Sequence, residues 1–104
     1  MPTETEALQY LGIDYPDEVI RANVSRALSS AYRTLLGGIG SKDDVETYLA
    51  DDPRVKELTL IYMEDLYSQR GVAAKVSGAV RRKVFDMEQQ LRLELAQAKE
   101  AAQA

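Results

Sequence analysis

Val80, Val84, Met87, Leu91, Leu95, Ala98 and Ala102 recur at steps of 4, 3, 4, 4, 3 and 4, the spacing that sets side chains along one side of an α-helix. Each run of three steps, 4, 3 and 4, sums to eleven residues and returns to the same face close to the natural helical period, so the stripe runs almost straight with little supercoil. From Ser77 to Ala101 such a helix is roughly 37 Å long at about 1.5 Å per residue. That is longer than a small domain is wide, and part of it is expected to project. A narrow apolar stripe stabilises a helix only when something packs on it. Val80 to Met87 is expected to pack on earlier helices of the same chain. Leu91, Leu93 and Leu95 are expected to meet a neighbouring subunit or partner, the alternative being that the helix folds back along its whole length. The Ala-, Gln-, Glu- and Lys-rich tail from Ala96 is expected to fray.

The rest of the chain reads as shorter helices. Thr3-Glu4-Thr5-Glu6 has the form of a capping box, followed by Ala7, Leu8 and Leu11 on one face and Gly12 as a stop. Pro16 fits a first helical turn, and Ile20, Val24, Ala27, Leu28, Ala31 and Leu35 keep helical spacing until Gly37-Gly38 ends the run. Ser41 caps a short turn holding Val45, Tyr48 and Leu49. Asp52-Pro53 then reads as an N-cap with proline at the first helical position, opening a helix that runs to Gln69 or Arg70. Val55, Leu58, Ile61, Tyr62, Met63, Leu66 and Tyr67 cover a wide arc of it, which suits the most enclosed helix. Val72 to Val76 is a loop or extended arm, and Ser77 caps the last helix. No stretch alternates apolar and polar residues over a useful length. The expected fold is all-α: a small bundle of four helices and one short turn, in a single domain over 1–104 with a helical core (1–71), a hinge loop (72–76) and a C-terminal helix and tail (77–104).

Several kinds of chemistry are excluded by composition. The chain has no cysteine and no histidine, which removes disulfides, thiolate nucleophiles, the commonest metal ligand and the side chain that titrates nearest neutral pH. Gly37-Gly38-Ile39-Gly40 lacks the Gly-Lys-Ser/Thr ending of a phosphate loop and has no strand before it. Asp17-Glu18, Asp43-Asp44, Asp51-Asp52 and Glu64-Asp65 are adjacent pairs that point in different directions on a helix, and none has calcium-loop spacing. They are expected to be caps and solvated surface. Neither a catalytic constellation nor a cofactor or metal site emerges, and the expectation is a protein that is not an enzyme. The acidic N-terminus has no signal-peptide pattern, and no apolar run approaches the ~18 residues of a membrane span. The chain is therefore expected to stay in the cytoplasm of the cell that makes it.

Thirteen Lys and Arg against seventeen Asp and Glu give a net charge of −4, unlike a chain whose business is coating nucleic acid. The charge is unevenly placed. Residues 1 to 52 hold four basic and ten acidic side chains, and 53 to 104 hold nine and seven. Between Leu66 and Phe85 the charged residues are Arg70, Lys75, Arg81, Arg82 and Lys83. The last three stand near the start of the final helix, where the dipole disfavours cations by about 0.3–1 kcal/mol each. Local stability does not explain them. They suit an acidic protein surface or a phosphate backbone, or serve as solubilising charge. Tyr62 and Tyr67 are expected to anchor packing with their hydroxyls at the rim, with Arg70 capping carbonyls or pairing with an acid.

Leu11-Gly12-Ile13-Asp14 before Asp17-Glu18, Ala31-Tyr32 with Gly37 beyond, the Leu66-Tyr67-x-x-Arg70 ending and a last amphipathic helix together resemble the small head-tail connector (adaptor, or neck) proteins of tailed bacteriophages and prophages. The resemblance spans nearly the whole chain through soft patterns without invariant chemistry. It implies a helical, non-enzymatic protein of the virion neck, assembled in the bacterial host cytoplasm. Such a protein joins neighbouring copies of itself in a ring, dodecameric in the virion, beneath the portal protein after DNA packaging, and meets a tail-side stopper or tail-completion protein. By the same resemblance Arg70, Arg81, Arg82, Lys83, Phe85, Leu91, Arg92 and Leu95 would dock on the portal or adjacent subunits, and Gly71 and Gly78 would bound a hinge. Acidic residues of the N-terminal half would face the channel, through which DNA passes without sequence-specific binding, or the tail-side protein. No membrane and no cofactor are implied. The Ala-rich tail departs from the pattern, being longer and blander than a docking peptide needs. The alternative is a small helical regulator or nucleic-acid-binding module using the Arg81-Arg82-Lys83 end of the last helix.

Overall fold

A computed structural model describes residues 1–68 and 78–103. Its secondary structure is all helical: α1 (Glu4–Leu11), α2 (Glu18–Ile39), α3 (Lys42–Tyr48), α4 (Pro53–Ser68) and α5 (Gly78–Gln103). The segment expected to be a single turn after Ser41 is thus a helix of its own.

Local chemistry sets most boundaries. Thr3 forms the expected capping box, its hydroxyl accepting from the Glu6 N–H at 3.1 Å and its own N–H donating to the Glu6 carboxylate at 3.2 Å. Gly12 closes α1 in the left-handed conformation at φ 74°, its N–H returning to the carbonyls of Leu8 and Gln9, a backbone state that glycine adopts without a Cβ penalty. Helix α2 begins one residue after Asp17, whose carboxylate accepts from the Ile20 N–H at 2.8 Å; Pro16 lies outside the helix. Ser41 caps α3 by accepting from the Asp44 N–H. At α4 the Asp52 carboxylate accepts from the Arg54 N–H at 2.9 Å, with Pro53 as the first helical residue.

Helix α2 does not stop at Gly37-Gly38, as their composition suggested, but continues to Ile39 and ends at Gly40 in extended backbone. Two interior glycines cost about 1 kcal/mol each relative to alanine, and burial of Leu35 and Ile39 just beside them offsets this. Gly38 has a packing reason as well: a Cβ there would collide with the Glu88 carboxylate of α5.

The long helices α2 and α4 run antiparallel as the spine, and two apolar clusters form on it. At one end Ala7 and Leu8 of α1 pack with Val24, Leu28 and Ala31 of α2 and Met63 of α4. At the other, Leu35 and Ile39 of α2, Val45 and Leu49 of the α3 region, and Val55 and Leu58 of α4 meet Val84, Leu91 and Leu95 of α5. Tyr62 borders both. The buried Thr59 hydroxyl donates to the Val55 carbonyl at 2.7 Å, so this polar group inside the spine is satisfied.

Helix α5, 26 residues and about 39 Å long, does not project. It packs on α2, α3 and α4, lying within a molecule that measures 50 × 29 × 18 Å. Estimating the width of a compact domain underrated this length, because α3 extends the apolar floor beyond the end of α2. Among the described residues no helix is long and apolar enough to cross a membrane.

Candidate docking surface

Two faces of α5 do different things. The inner face buries Val84, Leu91 and Leu95, Leu91 completely. The expectation that Leu91 and Leu95 await a neighbouring subunit is therefore corrected: their cover is Leu35, Ile39, Val45 and their neighbours in the same chain. Gly40 permits the fit, since a Cβ there would stand 2.6 Å from Leu95 Cδ2.

Polar clasps hold the same face down. The Arg54 guanidinium donates to both Glu94 oxygens, at 2.6 and 3.0 Å, while its Nε and Nη2 donate to the two Asp52 oxygens at 3.0 and 2.7 Å. This bidentate double fork uses the planar donor set that only arginine offers. The hydrogen bonds to Arg54 hold the Asp52 and Glu94 carboxyls below the usual range. One and a half turns further on, the Lys99 ammonium lies 2.8 Å from the Asp44 carboxylate of α3, which it likewise pulls down. Near the start of α5, burial, together with the Glu88 carboxylate beside it, pushes the Tyr62 phenol up to about 12. A third clasp joins α1 to α4 through Lys56 and Glu6 at 2.7 Å. Reading adjacent carboxylate pairs as caps and solvated surface held for Asp17 and for Asp52, which caps α4 and binds Arg54 two residues on, and missed the long-range tie of Asp44 to Lys99 and that of Arg54 to Glu94. Local spacing carries no signal for partners 40 residues apart.

The outer face is open. Arg82, Lys83, Phe85, Arg92 and Leu93 are all exposed, Phe85 at 58% and Leu93 at 62%. An exposed leucine alone needs no explanation; two large apolar side chains eight residues apart on one outer face, flanked by cations, form a surface suited to contact. Of the residues expected at an interface, Arg82, Lys83, Phe85 and Arg92 are gathered here. Arg81 lies in α5, and its side chain is outside the described residues, as are Arg70, Gly71 and the 72–76 loop. Gly78 is the first residue of α5.

Beside this face runs an open groove of about 390 Å3, lined by Ile39, Gly40, Arg92, Leu95, Ala96 and Lys99 among others. Another groove, about 170 Å3 between Arg26, Ser30, Leu66 and Tyr67, flanks the end of α4. Exposed acids stand on α5 itself, Asp86 and Glu100, and on the other elements: Asp14 and Glu18 at the α1–α2 junction, Asp43 on α3, Asp51 before α4. Among the described residues no group of three acidic side chains is placed to hold a metal ion, and no buried side-chain nitrogen or oxygen lacks a partner. Comparison with protein-family models, curated proteins and solved structures returned no match.

Proposed function

We propose that this chain is a structural assembly protein, a head-tail connector of a tailed bacteriophage or prophage that forms a ring beneath the portal after packaging and acts by docking, not by catalysis. The observation that carries the reading is the outer face of α5, where Arg82, Lys83, Phe85, Arg92 and Leu93 are exposed on a helix whose inner face is anchored in the core. A face held by Leu91, Leu95 and the Arg54 and Lys99 clasps needs little ordering on contact, which lowers the entropic cost of association. Its cations suit an acidic portal or subunit surface and speed encounter with it. The exposed acids of the N-terminal half would repel DNA in a channel and keep it from sticking.

Electron microscopy of the purified chain mixed with the portal protein of the phage or prophage that carries it tests the proposal. An added annular layer under the portal ring is the expected result, and bare portal rings at saturating chain would count against it. A second reading rests on the same exposed cations: a small helical regulator whose basic α5 start meets nucleic acid. DNA affinity that falls steeply with salt, in proportion to the number of phosphates neutralised, would favour it.

A further inference from the structure

We propose that in the free protein the outer face of α5 is covered by the same face of a second copy, the two helices lying antiparallel about a two-fold axis level with Leu91. This concerns α5 alone and does not rest on the connector reading; it says what covers the face before any larger assembly displaces it.

Positions 82, 85, 89, 93, 96 and 100 recur at steps of 3, 4, 4, 3 and 4, a second seam roughly opposite the one that buries Val84, Leu91 and Leu95. Along it Arg82, Phe85, Leu93, Ala96 and Glu100 are exposed and Gln89 is half-buried. In a two-fold contact residue i meets j and j meets i, so the seam must complement its own reversal. It does so for charge in the register that sets Arg82 against Glu100. With the axis level with Leu91, Arg82 meets Glu100 of the second copy at both ends, Phe85 meets Ala96, and Gln89 meets Leu93. Opposite charges close the ends, and between them the Phe85 ring meets the small Ala96. Among the described residues neither Arg82 nor Glu100 has an ion-pair partner.

The groove suits the same register. Phe85 of one copy comes level with the stretch of the other that lines the groove, from Arg92 to Lys99, and on the groove's side of the helix. An aromatic ring exposed in one copy thus faces an unfilled groove in the other. Arg92, one residue from the axis on the seam's flank, lies close to Arg92 of the second copy, a like-charge cost. A helix pair about five turns long is also smaller than the roughly 1,200–2,000 Å2 of a stable complex, so the dimer is weak and reversible, as a face that later changes partner requires.

Sedimentation equilibrium of the full chain over a wide concentration range is the test. The wild type should follow a monomer–dimer equilibrium. Arg82→Glu and Glu100→Arg should each weaken it about tenfold or more, and the two together in one chain should restore it, with circular dichroism unchanged throughout. The chain has no cysteine, so Gln89→Cys and Leu93→Cys proteins can be mixed under oxidation. The proposal predicts the mixed disulfide dimer in preference to either homodimer. A wild type that stays monomeric, or single charge reversals without effect, would overturn the proposal. Preferential cross-linking of Gln89→Cys to itself would overturn the antiparallel register, because a parallel pair or a shifted axis brings those positions together.

Discussion

Arg54 and Glu94 meet through two hydrogen bonds of 2.6 and 3.0 Å across 40 residues of sequence, and the same guanidinium holds Asp52 at the cap of its own helix. One side chain therefore fixes both where α4 starts and where α5 lies. Arg54→Ala should destabilise the protein by about 1–3 kcal/mol, the range for hydrogen bonds to charged groups, and Arg54→Lys should recover little of it because an ammonium cannot form the double fork. Urea unfolding followed by circular dichroism measures both.

Leu91→Ala should cost about 2–5 kcal/mol, the range for emptying a leucine site in a packed core, since its side chain is fully buried against α2 and α3. Leu93→Ala, two residues away on the outer face, should leave the unfolding midpoint within about 0.5 kcal/mol of wild type. Equal losses for the two would contradict the division of α5 into a core face and an exposed face.

The pH dependence should be two-sided. Carboxyls of Asp44, Asp52, Glu94 and Glu6 are depressed by their Lys or Arg partners. Their contribution is complete above the unfolded values, about 3.9–4.3, and is lost as pH falls through the lower folded ones. Tyr62 has the opposite sign. Its phenol is held protonated up to about 12, so the stability it contributes below its unfolded value of about 10 is lost as pH rises from there towards 12. Urea midpoints should be flat from about pH 6 to 9 and drop on either side, and Tyr62→Phe should blunt the alkaline drop.

Gly12→Ala should cost about 1–2 kcal/mol, because φ 74° places a Cβ in the disfavoured left-handed region. No neighbour crowds this site, so the loss is conformational and Gly12→Asn should recover part of it. Thermal unfolding of the two variants separates them.

Periodicity and caps made the helices legible: the box at Thr3, the stop at Gly12, the Asp52-Pro53 start and the buried stripe of α5 all stand in the sequence. The reach of tertiary packing was not legible. Gly37-Gly38 has the composition of a helix end, yet Leu35 and Ile39 carry α2 through it. Leu91 and Leu95 looked like partner contacts because nothing local reveals that α3 extends the floor beneath them. On the outer face of α5, Arg82 and Lys83 were singled out by charge and Phe85 and Arg92 only through the resemblance to connector proteins, whereas the clasps of Arg54 with Glu94 and Asp44 with Lys99 needed three dimensions.

The central proposal, that the outer face of α5 docks on a portal, is tested most directly by sedimentation velocity of the chain with the portal protein encoded near it. The wild type should co-sediment with the portal as one large species, and a variant with Arg82, Lys83 and Arg92 all changed to Glu, with its helicity intact, should sediment separately. Separate boundaries for the wild type, or undiminished co-sedimentation of the variant, would contradict the account.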